Sequence, residues 1–255
     1  MVLERNMKGA IIPLPAVWLM KSKVPWDVVE DINKYLDTLL QDDTRQSQAK
    51  TLVGQIRRGE QLVIDHEHPE IKEFASVVCM CSKQYIESFS QRHNQKLMQE
   101  RQLSIYEMWS VHAYEGDYNP LHDHGVPSIM GLSCILYLKV PKQILDTDVS
   151  SPLFDASGVQ DGHLVFNYGK DSQLDYERLT PPSSILIKPR VGEMYVFPSW
   201  LQHMVYPFSG EGERRSVSAN VTAWKKIETQ EEKKVTTWNK NVEDIRRRFY
   251  AENTG

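Results

Sequence analysis

Short β-strand patterns dominate the chain after about residue 104. Runs rich in Val, Ile, Tyr and Phe are separated by Gly and Pro, a composition that is typical of short strands joined by turns. These runs cover residues 105–114, 131–140, 163–168, 185–188, 194–197, 204–208 and 216–224. Seven or more short strands within about 120 residues predict a sandwich or a barrel.

The first 104 residues follow a different pattern. Residues 10–14 predict one short strand. After Pro25, and again after Pro69, apolar residues recur at intervals of three or four, which predicts two helices with one apolar stripe each. These stripes are expected to pack on a sheet. We therefore expect a mainly β fold with flanking helices, in which residues 1–104 support a core at 105–224 of the same domain.

The end of the chain, residues 225–255, predicts an amphipathic helix. Its apolar positions are three or four residues apart, at Val235, Trp238, Val242, Ile245 and Phe249. The expected role is to cap the barrel. The alternative is a contact between copies of the chain in a homo-oligomer.

Composition narrows the expected partners and location. The net charge is −4 and the pI is about 6.1, so no bulk field attracts nucleic acid or an anionic membrane. The three cysteines form neither a zinc motif nor a disulfide framework, which fits reduced thiols. No run approaches the roughly 18 to 20 apolar residues of a membrane span, and the start lacks the apolar core of a signal peptide. We expect a cytoplasmic protein with no membrane partner.

Three histidines are the candidate metal ligands. His122 and His124 are two residues apart in a strand-like run, so both should point to one face, and His203 follows a separate strand. Three ligands on one face, with the other positions open, is the geometry that non-haem Fe(II) uses to bind a co-substrate and O₂. If a turn rotates the backbone, Asp123 replaces His124 as the second ligand. The pair His66 and His68 is expected to form a helix-start turn instead.

A second candidate site lies eleven residues beyond His203. Arg214 and Ser216 share one face of a predicted strand, where a guanidinium and a hydroxyl can together hold a carboxylate. Arg215 should point the other way and be a solvated surface cation. The alternative for Arg214 is a surface salt bridge with Glu211 or Glu213. A metal face next to a carboxylate clamp suggests an oxygenase that uses a 2-oxo acid.

These motifs resemble the 2-oxoglutarate and Fe(II)-dependent oxygenase superfamily, in particular bacterial and phage oxygenases related to prolyl hydroxylases. The matching segments are Tyr118-Asn119, His122-Asp123-His124, 133–138, 162–166, the Gly…Phe-Pro-Ser-Trp…His segment at 192–203, and Arg214-Arg215-Ser216 through Asn220. The resemblance implies a double-stranded β-helix, or jelly roll. It also implies Fe(II) with 2-oxoglutarate and O₂ as co-substrates, and hydroxylation of an unidentified substrate with release of succinate and CO₂.

Two details of the resemblance stay open. The wider superfamily has Asp or Glu where this chain has His124. Tyr137 either donates to the 2-oxoglutarate carboxylate, by analogy, or is a core tyrosine. The substrate is a small molecule or a protein side chain.

Two other functions fit a jelly roll. A cupin-like metal enzyme would also use a His-x-His pair, but cupins usually add a Glu a few residues later, and residues 125–129 contain none. A non-catalytic binding module would be expected to lose one of His122, His203 or Arg214, all of which are present.

Overall fold

The computed structural model describes residues 10–13, 17–93, 101–126, 130–145, 160–169 and 183–225. The helix predicted at the end of the chain, and with it the predicted oligomer contact, lies outside these residues. Within them no helix is long and apolar enough to span a membrane.

The described chain forms eleven strands, three α-helices and a 3₁₀ turn at Ala49–Thr51. The N-terminal part contains β1 (Ala10–Pro13), β2 (Trp18–Lys23), α1 (Trp26–Leu39), β3 (Glu60–Val63) and α2 (Lys72–Arg92). The remainder contains β4 (Arg101–Ala113), β5 (Asn119–His122), β6 (Leu132–Lys139), α3 (Lys142–Leu145), β7 (Leu164–Asn167), β8 (Ser184–Ile187), β9 (Glu193–Pro198), β10 (Gln202–Val205) and β11 (Arg214–Lys225).

The strands form two antiparallel sheets. The larger has the order β1-β2-β9-β6-β11-β4-β3, and the smaller has the order β5-β10-β7-β8. An apolar core between the sheets joins Tyr137 and Phe197 of the larger sheet to Phe166 and Val205 of the smaller one. Many of the paired strands are distant in sequence, such as β2 with β9 and β5 with β10, as in the jelly roll that was predicted.

The helices cover the outer face of the larger sheet. Side chains of β6 alternate between the two cores, so that Ile135 and Tyr137 face the smaller sheet while Cys134 and Leu136 face the helices. Ile32 of α1 and Phe74 of α2 are fully buried in this second core. The predicted helix stripes therefore pack on a sheet, and the mainly β fold with flanking helices is confirmed.

Two short strands were not predicted, and one helix begins later than predicted. β2 carries three polar residues and β3 is a four-residue edge strand, so neither has a clear alternating apolar pattern. The strand-like run expected around the histidine pair corresponds to β5, which ends at His122. Helix α2 begins at Lys72 rather than at Pro69, because the preceding residues form a turn in which the Ile71 amide donates to the His68 carbonyl.

Candidate metal and carboxylate site

The structure brings His122, His124 and His203 together at the edge of the smaller sheet. Their candidate ligand atoms all lie within 4.8 Å of one another. His122 ends β5 and lies opposite His203 of the neighbouring strand β10. His124 lies beyond the end of β5, where its backbone amide donates to the Ser199 carbonyl over 2.8 Å. His124 is therefore placed on this face by a backbone hydrogen bond to the β9–β10 turn, and not by the alternation of side chains along a strand.

Each of the three imidazoles is oriented by its Nδ1 atom. Nδ1 of His122 is 2.7 Å from the Pro120 carbonyl oxygen, and Nδ1 of His203 is 2.9 Å from the Leu201 carbonyl oxygen. Nδ1 of His124 lies 2.9 Å from the Asn220 side-chain oxygen. Because these oxygens only accept hydrogen bonds, each Nδ1 carries the proton and each Nε2 keeps its lone pair. Three Nε2 lone pairs are thus available to one cation.

The environment keeps these imidazoles neutral. Burial, together with charge repulsion from the neighbouring His122, lowers the pKa of His124 to about 4. Burial likewise lowers the pKa of His122, and it lowers the pKa of His203 well below its ordinary value, with added repulsion from the other two histidines. Neutral imidazole is the form that binds a metal ion.

The alternative metal ligands lie elsewhere. Asp123 is exposed and is not part of the histidine group. His66 and His68 lie in the turn before α2, each within 4.0 Å of a neighbouring glutamate. Among the described residues, the three histidines form the one group of three or more His, Cys, Asp or Glu side chains able to hold a metal ion.

Arg214 is buried in the same cavity as the histidines. Its side chain is 2% exposed, and its Nε atom donates to the Gly162 carbonyl over 3.1 Å. Gly162 has a φ of +66°, a conformation that glycine adopts without strain, which helps present this carbonyl. The Nη2 atom of Arg214 has no hydrogen-bond partner in the described part of the chain. A buried cationic donor without a partner is costly, so this atom is suited to an incoming anion.

Tyr137 and Ser216 lie beside this guanidinium. The Arg214 guanidinium carbon is 5.2 Å from the centre of the Tyr137 ring. The Tyr137 hydroxyl is also buried without a hydrogen-bond partner among the described residues, and burial raises its pKa to about 12, so it stays protonated. Ser216 is buried and lines the cavity two residues along β11 from Arg214. The three residues together offer donors for a carboxylate.

The cavity that joins the histidines to Arg214 has about 530 Å³ of space, including its opening to solvent. Its walls are mainly apolar side chains from both sheets and the 3₁₀ region: Leu52, Val53, Trp109, Val111, Ile135, Leu164, Phe197 and Val205. Apolar walls with a few polar groups are typical of small-molecule sites.

Arg215 is not the solvated surface cation that the sequence predicted. It does face away from Arg214, but α1 covers that face of β11, and Arg215 is only 1% exposed. Its guanidinium contacts both carboxylate oxygens of Glu213, at 2.7 and 3.0 Å, and Asp37 of α1 at 2.7 Å. Glu213 also accepts from His112. A surface salt bridge between Arg214 and Glu213 is therefore excluded.

Four polar residues behind His124 were given no role by the sequence reasoning. Asn220, Ser133, Glu107 and Gln48 form a hydrogen-bonded row that starts at the His124 Nδ1 atom. Asn220 could have been found, because it is six residues from Arg214 on the same strand and thus on the same face. Glu107 and Gln48 could not, because their proximity depends on strand register and on a distant loop.

The comparisons with known proteins agree with this geometry. Residues 107–220 match the model of a family described as "Putative 2OG-Fe(II) oxygenase". A search of curated proteins finds no match. Among solved structures, a prolyl-4-hydroxylase from Pseudomonas putida is 15% identical, covers 80% of this chain and 91% of its own, and has a TM-score of 0.50.

Two further solved structures are similar at lower TM-scores. The 2-oxoglutarate-dependent carbocyclase SnoK of nogalamycin biosynthesis is 13% identical, with 83% of this chain and 84% of its own covered and a TM-score of 0.49. HygX from Streptomyces hygroscopicus, with nickel and 2-oxoglutarate bound, is 13% identical, with 80% and 82% covered and a TM-score of 0.46.

The jelly-roll fold and the resemblance to this oxygenase superfamily are thereby confirmed. The family match favours an oxygenase over the cupin-like enzyme and the non-catalytic module. The match of residues 107–220 to the 2OG-Fe(II) oxygenase family model, together with the histidine group, supports an oxidoreductase of the class that uses Fe(II), 2-oxoglutarate and O₂.

Proposed function

We propose that this oxygenase hydroxylates its substrate with release of succinate and CO₂. In this proposal His122, His124 and His203 bind the metal, and Arg214, Ser216 and Tyr137 hold the far carboxylate of 2-oxoglutarate. The observation that carries the proposal is one cavity with two kinds of unsatisfied group. Three proton-free Nε2 atoms converge in this cavity, and the buried Arg214, whose Nη2 atom has no partner among the described residues, lines the same cavity.

The residues present fit the metal. The converging Nε2 lone pairs of three neutral imidazoles do not stabilise one another. A bound cation would stabilise all three. When bound there, Fe(II) supplies the redox chemistry that couples oxidation of 2-oxoglutarate to oxidation of the substrate. The hydrogen bonds from Nδ1 to Pro120, Asn220 and Leu201 hold the imidazoles in the binding tautomer.

The residues present also fit a five-carbon diacid. A 2-oxo acid group placed at the histidines leaves the second carboxylate to be held elsewhere in the cavity, and Arg214 lines that cavity with a free Nη2 donor. The Tyr137 hydroxyl and Ser216 add neutral donors. Apolar walls exclude water around this ion pair and so strengthen it.

The all-histidine face has an electrostatic consequence. With Asp or Glu in the second position, the protein would neutralise part of the metal charge, whereas three neutral imidazoles neutralise none. The dianion 2-oxoglutarate then provides the compensating negative charge directly. We expect metal and 2-oxoglutarate to bind more tightly together than separately, since each reduces the charge cost of the other.

The test is succinate formation from 2-oxoglutarate by protein loaded anaerobically with Fe(II) and then exposed to O₂, screened across pools of small molecules and peptides. His203→Ala should lose most of its metal binding and its succinate release, because two imidazoles leave an incomplete face. His66→Ala is the matched control and should retain both, since His66 lies in a surface turn. Equal metal stoichiometry in His203→Ala and the wild type, measured by equilibrium dialysis with Mn(II), would refute the ligand assignment.

A further inference from the structure

The row of side chains behind His124 leads from the candidate metal site to a carboxylate. The His124 Nδ1 atom lies 2.9 Å from both the Asn220 side-chain oxygen and the Ser133 hydroxyl. The Ser133 hydroxyl donates to the same Asn220 oxygen over 2.6 Å. The Asn220 amide nitrogen then donates to Glu107 Oε1 over 2.7 Å. Only one residue, Asn220, separates the imidazole from the carboxylate.

The direction of each hydrogen bond follows from the carboxylate. Both oxygens of Glu107 accept, Oε1 from Asn220 and Oε2 from the Gln48 amide at 3.2 Å. A carboxylate that accepts at Oε1 requires the nitrogen of the Asn220 amide on its side, which leaves the amide oxygen facing His124. That oxygen requires a proton on His124 Nδ1. The Glu107 carboxylate, acting through the Asn220 amide, thus determines which His124 nitrogen is available to a metal.

Burial makes this orientation hard to replace. Asn220 is 1% exposed and Ser133 is fully buried, so water does not take over either role. Strand pairing holds the row in place, because Asn220 of β11 lies directly opposite Glu107 of β4 on one side and Ser133 of β6 on the other. The row therefore crosses three adjacent strands of the larger sheet.

We propose that Glu107 is a positioning residue for the metal site, acting through Asn220 on His124. It fixes the Nε2-ligating tautomer of His124 and places a negative charge behind a metal face that has no carboxylate ligand. The proposal rests on the proposed function, since it requires His124 to bind the metal. Partners of this kind behind metal-binding histidines typically change metal affinity 10- to 100-fold.

The test is Co(II) binding by Glu107→Gln, followed by titration and by the visible absorption of the bound Co(II). Glutamine keeps the size and the hydrogen-bonding capacity of Glu107 but removes its charge. The affinity for Co(II) should fall about tenfold or more, and the absorption bands should shift because the His124 ligand is altered. A merely structural role would not move these bands.

Glu60→Gln is the matched control. It removes the same charge from the edge strand β3, where Glu60 is held by Arg45 at 2.8 and 2.9 Å rather than by the His124 row. Its Co(II) affinity should stay within about twofold of the wild type and its spectrum should be unchanged. Glu107→Asp, which keeps the charge, should recover part of the affinity lost in Glu107→Gln.

The outcomes separate the two proposals. If the wild type binds no Co(II), both the proposed metal site and the role of Glu107 are refuted. If the wild type binds Co(II) and Glu107→Gln binds it with equal affinity and an unchanged spectrum, the role of Glu107 is refuted while the metal site stands. If Glu107→Gln does not fold, Glu107→Asp carries the test against Glu60→Asp, and equal Co(II) affinity in these two variants overturns the proposal.

Discussion

Replacing Arg214 and Arg215 separately by methionine should give opposite results, although the two residues are adjacent. Arg214 lines the cavity and has an Nη2 atom without a partner in the described chain, whereas Arg215 is ion-paired to Glu213 and Asp37 on the other face of β11. We expect Arg214→Met to weaken 2-oxoglutarate binding without loss of stability. We expect Arg215→Met to lower stability without direct loss of 2-oxoglutarate affinity.

The expected loss of 2-oxoglutarate affinity in Arg214→Met is that of one charge-assisted hydrogen bond. Such a bond contributes about 1.5–3 kcal/mol, and about 1.4 kcal/mol is tenfold in affinity, so the loss should be roughly ten- to a hundredfold. In the absence of 2-oxoglutarate, the variant loses the bond from Nε to the Gly162 carbonyl but also loses a desolvated charge. These effects oppose each other, so the free energy of unfolding should stay equal or rise.

The expected loss of stability in Arg215→Met follows from the carboxylates of Glu213 and Asp37, which lose their cationic partner. Removing one member of a buried ion pair typically costs about 3–5 kcal/mol. The lower end applies, because His112 and Lys139 still contact Glu213 and because Asp37 is 58% exposed. A loss of about 3 kcal/mol is a large share of the about 5–15 kcal/mol that stabilises a typical domain.

Two measurements on each variant decide the matter. Isothermal titration of 2-oxoglutarate into the Mn(II) form gives the affinity, and urea unfolding of the ligand-free protein gives the stability. Metal binding should survive in Arg214→Met, because Arg214 is not among the grouped ligands. If Arg215→Met weakens 2-oxoglutarate binding while Arg214→Met does not, the assignment of the two faces of β11 is wrong. If wild-type protein with metal does not bind 2-oxoglutarate, the carboxylate site is wrong altogether.

Two further predictions concern Tyr137 and pH. Tyr137→Phe should weaken 2-oxoglutarate binding roughly ten- to a hundredfold, the value of one hydrogen bond to a charged carboxylate of about 1.5–3 kcal/mol, and leave Mn(II) affinity unchanged. Tyr195→Phe is its control in the same titration, since the Tyr195 hydroxyl already donates to Glu193, and an equal effect of both would contradict the role of Tyr137. Because the pKa of His124 falls from 6.5 to about 4 on folding, the metal-free protein should keep full stability above about pH 6.5 and lose up to about 3 kcal/mol as the pH falls toward 4. Urea midpoints of chelator-treated protein between pH 7.5 and 4.5 test this, and His124→Gln should show a shallower slope.

The sequence was sufficient for the features that depend on alternation within one strand. Arg214 and Ser216 line one cavity because they are two residues apart in β11. The same alternation correctly predicted that Arg215 lies on the opposite face of β11, but it did not predict that this face is buried. Its burial depends on α1, which contributes Asp37 to the ion pair from more than 170 positions away in the sequence. A charged residue within a strand is expected to be solvated until such distant partners are known.

The position of His124 also could not be predicted from strand alternation alone. His122 and His124 are two residues apart, but β5 ends at His122, so strand geometry alone does not place His124. The amide of His124 instead bonds to Ser199, and its side chain bonds to Asn220 and Ser133. The sequence spacing predicted a shared face, but the interactions that produce this face come from β6, β11 and the β9–β10 turn.

The two faces of β11 are coupled through Glu213. This glutamate precedes Arg214 directly and would be its nearest anionic partner, but Arg215 and His112 hold both of its oxygens on the helix side of the sheet. Arg214 is therefore buried with Gly162 and Tyr137 as neighbours and without that carboxylate. The free energy cost of this arrangement is offset by the rest of the fold before any ligand arrives, so a diacid that enters the cavity meets a cation already desolvated and oriented. Because His112 and Lys139 also hold Glu213, this carboxylate should stay on the helix side of β11 even when Arg215 is replaced, so the 2-oxoglutarate affinity should depend on Arg214 and not on Arg215.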